Sequence, residues 1–339
     1  MSAAVTHRLR PAKQSYRRLV FRQFRKRKQA VYSFIFLVLL AIVALTAPFL
    51  AGERPIYLKW DGRAYLFPNI LSYDALVSVD FSRWEPGAND RAVLPPIPYA
   101  PERSDLLERL EGPSRAHWLG TDDRGRDILS RVVWGSRISM SVGFVAVGIA
   151  VVIGTIIGAL AGYYGGLVDA IVLRIIEVML TLPSFILILT IIAFLPPSIY
   201  NIMAAIGLLG WTGIARLVRG EFLRLRESDF ATAAQATGLT HRRIIFRHLL
   251  PNALSPVWVS ATFGVAGAIL TESALSFLGF GVPPPTASWG EILSQSESYL
   301  HRGAWWLVVF PGAAIFITVT AFNLVGEGLR DAMDPRLRE

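Results

Sequence analysis

The chain is predicted to be an all-α membrane protein of six transmembrane helices, with both termini cytoplasmic and one long outer loop after the first helix. Three observations carry this. First, 53% of its 339 residues are hydrophobic and only 17% are charged, where a soluble domain carries about a quarter charged residues. Second, the apolar residues come in continuous blocks at 31–50, 138–160, 171–195 and 306–324, each close to or beyond the roughly 20 residues that cross a hydrocarbon core as helix. Continuity excludes an outer-membrane barrel, whose segments alternate over about ten residues. Third, Arg8, Arg10, Lys13, Arg17, Arg18, Arg22, Arg25, Lys26, Arg27 and Lys28 stand before the first block with no acid among them. Basic residues flanking a membrane helix mark the cytoplasmic side. These ten exceed the net charge of +9, so the positive balance reads as topology and not as a nucleic-acid surface.

The elements follow in order. Residues 1–30 form a basic cytoplasmic segment and 31–50 the first helix. A cleaved leader is the minority reading, resting on Ala44-Leu45-Thr46-Ala47. Its charged region is too long, and its apolar run exceeds the usual 7–15 residues or so. Residues 51–137 are polar and near neutral, with twelve basic and thirteen acidic residues. Loops of this length are usually functional or folded by themselves, and Tyr57, Trp60, Tyr65, Phe67, Tyr73, Phe81 and Trp84 are too many aromatics for a disordered linker. The proline-rich 94–101 reads as an extended spacer. A five-helix core at 138–325 follows, with spans at 138–160, 171–195, 199–218, 254–275 and 305–325, and 326–339 is a cytoplasmic tail. Six spans put 219–253 inside, and the arginines there (Arg219, Arg224, Arg226, Arg242, Arg243, Arg247) and in the tail (Arg330, Arg336, Arg338) agree. Gly154-x-x-x-Gly158-x-x-x-Gly162 makes a groove on one helix face, for packing within the chain or between subunits.

Residues 228–238 are expected to form a short small-residue helix, capped by Ser228 or Asp229, running through Ala231, Ala233, Ala234 and Ala236, and ended by Gly238 in a left-handed conformation. A second amphipathic piece, 242–250, is expected to stop at Pro251. Such a helix fits a groove on another protein. The competing reading, a helix lying on the lipid surface, is disfavoured because those prefer Trp, Phe or Leu on the buried face. The segment resembles the "EAA" coupling loop of binding-protein-dependent ABC importer permeases. Ala233, Ala234, Gly238, Leu250 and Pro251 match at the family's spacing, while Thr232 and His248 stand where that pattern has Glu and Ile. Both departures resemble the peptide-transporter branch. Residues 118–127 (WLGTDDRGRD), 272–281 (ESALSFLGFG) and 328–335 (GLRDAMDP) are similar to the C-type permease of dipeptide and oligopeptide importers, and 54–68 resembles an insertion of the microcin C / oligopeptide subgroup.

The resemblance implies a type I importer permease in the bacterial inner membrane, with residues 51–137 periplasmic. It implies a second permease chain, cytoplasmic ABC ATPases, a periplasmic peptide-binding protein and membrane lipid as partners. Asp229, Ala233, Ala234, Gly238, Arg242, Leu250 and Pro251 become the ATPase-coupling residues. No catalytic, cofactor or metal residues are expected. The chain has no Gly-x-x-x-x-Gly-Lys-Ser/Thr phosphate loop, so ATP falls to a partner. It has no cysteine, and its five histidines are scattered without a His-x-x-x-His pair. Arg174 and Glu177 share a helix face and read either as a path pair or, preferably, as an ion pair at the cytoplasmic end of the bundle. Glu272 reads as a contact for a peptide amino group or as an interface hydrogen bond, and Leu182-Pro183 as a kink in the third span. An ion-gradient-driven secondary transporter is the alternative function, needing midplane carboxylates. A membrane-bound enzyme lacks any clustered nucleophile, base or ligand set.

Overall fold

The computed structural model describes residues 16–334, apart from 82, 83, 85, 86 and 88. Arg8, Arg10 and Lys13 of the basic segment, and Pro335, Arg336 and Arg338 of the tail, lie outside the described residues. The helices are α1 (Tyr16–Lys26), α2 (Lys28–Leu50), α3 (Ile128–Tyr164), α4 (Gly166–Thr181), α5 (Ser184–Phe194), α6 (Ile199–Arg226), α7 (Asp229–Ala236), α8 (His241–Arg243), α9 (Leu250–Phe277), α10 (Trp289–Ser296) and α11 (Trp306–Met333). Five runs are long and apolar enough to cross a membrane, and the pair α4 and α5 makes a sixth if counted as one bent span.

That bent pair corrects the expectation of one third span over 171–195. The two helices meet at 83°. Pro183 cannot donate to a helix and forces the residue before it out of helical geometry, and Leu182 is extended at φ −94°, ψ 133°. The other spans are longer than the apolar runs suggest. At 37 residues, α3 measures about 55 Å against a hydrocarbon core of about 30 Å, so nearly half of it stands outside.

The centre of the bundle is the α3–α6 pair. Their backbones meet along Gly154, Gly158 and Gly162. A Cβ on Gly154 would lie 2.7 Å from the Trp211 carbonyl oxygen, and one on Gly162 would lie 2.7 Å from that of Arg219. Only glycine permits this approach, so the groove is filled within the chain. Four apolar clusters hold the rest. Leu37, Met140, Val265, Ile269 and Phe322 join α2, α3, α9 and α11. Ile188, Ile192, Ile202 and Leu275 join α5, α6 and α9. Tyr163, Val218, Phe222, Ile244, Leu249 and Val257 close one end of the bundle, and Ile128, Ile292, Trp306 and Leu307 close the other.

The latter end carries the loop after α2. It holds a three-stranded antiparallel sheet of order β2-β1-β3, where β1 is Tyr57–Trp60, β2 Arg63–Leu66 and β3 Arg91–Val93. Asp61 and Gly62, both at positive φ, form the two-residue turn that pairs Trp60 with Arg63. The proline-rich stretch leads back to the bundle, where Ser130 donates to the Tyr99 carbonyl at 2.7 Å. The long loop is thus a small folded unit joined to the start of α3.

Candidate functional site

Residues 227–240 join α6 to the helical run beginning at His241. Ser228 occupies the N-cap of α7 but makes no side-chain cap; its hydroxyl donates back to the Leu225 carbonyl at 2.5 Å. The helix ends as expected. Gly238 sits at φ +75°, its amide donates to Gln235 at 2.9 Å, and the Leu239 amide donates to Ala234 at 3.3 Å. These two bonds make a Schellman turn, which needs a left-handed residue. Leu239 packs beside Ala234 on the apolar cluster, completing the motif.

The alanines divide between two faces. Ala231 and Ala234 are buried in the cluster with Phe222 and Ile244, whereas Phe230, Ala233 and Ala236 are exposed. Ala234 therefore anchors the helix, and Ala233 is the alanine available to a partner. Asp229 opens the first turn and is exposed, as is Arg242. Leu250 packs against the same cluster. The expectation that 242–250 stops at Pro251 is corrected. Residues 244–249 form a π-helical turn in which the Leu250 amide reaches Ile245, and Pro251 lies in the first turn of α9. Proline at a helix start loses nothing, so α8 runs through the wide turn into α9.

Side chains tie this loop to the bundle. Tyr163, at the end of α3, has its hydroxyl 2.7 Å from Nδ1 of His241. Arg226 donates to the Tyr163 carbonyl at 3.1 Å. Arg219 grips Asp169 with two guanidinium nitrogens, one bond being 2.6 Å. These contacts join α8 to α3, the end of α6 to α3, and α6 to α4.

The opposite end carries a network that sequence reading missed. Asp122 accepts from the Arg124 and Arg126 amides at 2.8 and 2.9 Å, from Arg126 Nε at 2.7 Å, and from Arg131. Arg131 also pairs with Glu291 of α10. Gln295 accepts from Arg126 at 2.8 Å and from Arg131 at 2.9 Å. Two cations and two carboxylates, all buried, thus balance. Beside them His117 bridges Asp127 at 2.9 Å and Glu108 at 3.0 Å, and Asp127 caps α3 through the Ser130 amide at 2.7 Å. Burial pushes the Glu291 carboxyl up, more than Arg131 and Arg126 draw it down. Burial likewise raises Asp127, against the Ser130 amide and His117. Residues 118–127 are conspicuous in the sequence, but the α10 partner of Arg126, Gln295, lies 169 positions away.

Of the remaining expected residues, Arg174 and Glu177 pair at 3.2 Å but on an exposed face, at 80% and 62% side-chain exposure. They are not inside the bundle of this chain. Glu272 is fully buried, and Ser276 donates to it at 2.8 Å. It has no exposed surface in this chain, and the bond from Ser276 runs within α9, not across an interface. Between α3, α5, α6 and α9 lies a cleft of about 620 Å³ lined by residues such as Ala146, Pro183, Thr212, Gly264 and Thr271, with no charged side chain. It suits a passive path and holds no carboxylate for ion coupling.

Comparison with known proteins agrees with this architecture. Residues 154–339 match the model of the binding-protein-dependent transport system inner membrane component, and residues 15–68 match the N-terminal TM domain of oligopeptide transport permease C. The chain is 44% identical over 68% of its length to the dipeptide transport system permease protein DppC of Alkalihalophilus pseudofirmus, covering 75% of that protein. It is 48% identical to the protein of the same name in Escherichia coli K12, over 68% of this chain and 76% of that one. It is 41% identical to the oligopeptide transport system permease protein OppC of Bacillus subtilis, over 70% and 77%. The chain therefore belongs to the family of binding-protein-dependent transport system inner membrane components, and it is a multi-pass permease subunit, not an enzyme.

Proposed function

We propose that this chain is one permease half of an ATP-driven importer of oligopeptides or microcin C-like peptides. It lies beside a second permease chain, receives peptide from a periplasmic binding protein and is driven by cytoplasmic ABC ATPases. The observation that carries this is α7. It is a rigid, Schellman-ended helix whose inner alanines are locked into the bundle while Phe230 and Ala233 are offered outward. A small-residue face with one aromatic fits a groove on a partner better than it fits lipid. The named relatives support peptide as the cargo class. The uncharged cleft supports a passive path whose opening is powered from elsewhere.

In this reading both termini and residues 219–253 are cytoplasmic, and residues 51–137 are periplasmic. Asp229, Ala233, Gly238 and Arg242 meet the ATPase, and Ala234, Leu250 and Pro251 hold them in place. The test is the assembled complex in lipid: peptide-loaded binding protein is expected to stimulate ATP hydrolysis, and Ala233→Glu to abolish that stimulation. Hydrolysis indifferent to loaded binding protein would refute the reading. Topology is checked separately. A cysteine placed at Ser78, in a chain that has none, is expected to react with an impermeant reagent added from the periplasmic side.

A further inference from the structure

The short helix α1 is amphipathic at helical spacing. Arg18, Arg22 and Arg25 fall at i, i+4 and i+7 on one side, with Lys26 beside them, while Val20 and Phe24 face the other way and the exposed Phe21 borders Arg25. Its first turn contains no acid. Among the described residues none of these four cations has an acidic partner; Arg25 lies only over the Phe21 ring, 5.8 Å away. The nearby acids are already engaged, since Arg27 takes both Asp331 and Glu327. The helix is held at the bundle end that carries α7, with Phe24 packed against Gly328 of α11.

Above α1 lies the largest cavity described, about 1020 Å³, walled by α1, α2, α3, α9 and α11. Its lining is almost wholly apolar, including Phe24, Val31, Gly148, Trp258 and Leu329, and its one cationic side chain is Arg25 at the α1 edge. A Cβ on Gly148 would meet nothing within 4 Å, so the hollow is open there. An apolar, open space with Arg25 at its α1 edge, and with the unpaired Arg18, Arg22 and Lys26 on the adjoining face of that helix, matches one kind of occupant: a chain of hydrocarbon ending in an anion.

We propose that this cavity and α1 form a site for an acidic phospholipid of the leaflet that α1 faces. The acyl chain lies against Gly148 and Trp258, and the phosphate sits at Arg25, with Arg18, Arg22 and Lys26 adding positive charge from the adjoining face of α1. Basic residues are drawn to an anionic lipid surface, and an amphipathic helix with phenylalanine on its buried face lies naturally in that interface. The site adds a ligand to the ion pairs and packing that already hold the start of α2 to α11. Lipid composition thereby sets how firmly that end of the bundle is held.

The test uses the purified complex, stripped in detergent and mixed with phosphatidylglycerol or phosphatidylcholine, with retained lipids counted by native mass spectrometry. Phosphatidylglycerol is expected to be retained about fivefold or more over phosphatidylcholine. Changing Arg18, Arg22, Arg25 and Lys26 together to Gln is expected to erase that preference. Gly148→Leu, which fills the hollow with every charge intact, is expected to lower retention of both lipids. Equal retention of the two lipids by the unaltered complex overturns the proposal, as does unchanged phosphatidylglycerol retention in both variants. A single cysteine at Val152 that crosslinks to the second permease chain also overturns it, because the cavity is then covered by protein.

Discussion

The two ends of the α3–α6–α9 bundle are fastened by opposite means. At the sheet end, Asp122, Arg126, Arg131 and Glu291 are buried, charge-balanced and shared between the start of α3 and α10. At the α7 end the polar ties are exposed or partly exposed, among them Asp169–Arg219, Arg27–Asp331 and Tyr163–His241, laid over an apolar cluster beneath a loop whose outer face is open. A buried ion network adds little net stability over an apolar core, yet it tolerates no loss of a member, because the partner is left charged and dry. Such an end behaves as an anchor. The other end can exchange its bonds for water and for a partner at small cost, which is what a coupling surface requires.

The comparison can be broken most severely at Arg131. Arg131→Ala leaves the buried Glu291 without its paired cation, while Asp122 keeps Arg126, and is expected to cost about 3–5 kcal/mol, seen as a large fall in the unfolding temperature of the detergent-solubilised protein. A shift no bigger than that of a surface variant would remove the anchor. Next comes the seam between the ends. Gly158→Leu drives a side chain into the Ala215 backbone and Val218, with an expected loss of about 1–3 kcal/mol or more and weaker retention of α6 in limited proteolysis. At the open end the effects shift from stability to coupling. Gly238→Val forces a β-branched residue into left-handed backbone at about 1–2 kcal/mol, and is expected to preserve insertion while cutting ATPase copurification. Normal association and uptake would show that the turn does not orient α7. Tyr163→Phe removes one hydrogen bond, worth about 0.5–1.5 kcal/mol, and is expected to loosen the link between α3 and α8 without unfolding either. Smallest is Arg174→Gln. An exposed pair contributes about 0–1 kcal/mol, so neither stability nor uptake is expected to change measurably.

Sequence reading succeeded where a physical rule has one length or one residue type to recognise. Runs of about 20 apolar residues announce spans, and Gly238, following the alanine run that ends at Ala236, announces a helix end. It fell short where the rule stops at the edge of the lipid. The first ten residues of α3, Ile128–Arg137, are polar enough to read as loop, yet they are helical because Asp127 caps them and α10 covers them. The side on which Ala233 and Ala234 lie was illegible, since in a helix of eight residues, half of them alanine, no periodicity separates the faces. The Asp122–Arg131–Glu291 network was illegible for a different reason: its members are near in space only because α9 returns the chain to the start of α3.

The length of α3 carries a mechanical consequence. One uninterrupted rod reaches from the Asp127 cap to Tyr163 at its far tip. It is anchored at one extremity by that cap and joined at the other to His241 through the Tyr163 hydroxyl and to Arg226 through the Tyr163 carbonyl. Swinging a rod of about 55 Å by 5° about its fixed end moves the tip by about 5 Å, close to the rise of one helical turn. A small push delivered at the tip is therefore geared down along the shaft. Halfway along, where Ala146 borders the uncharged cleft, the same swing arrives as about 2 Å, on the scale of a door set ajar to a passing chain.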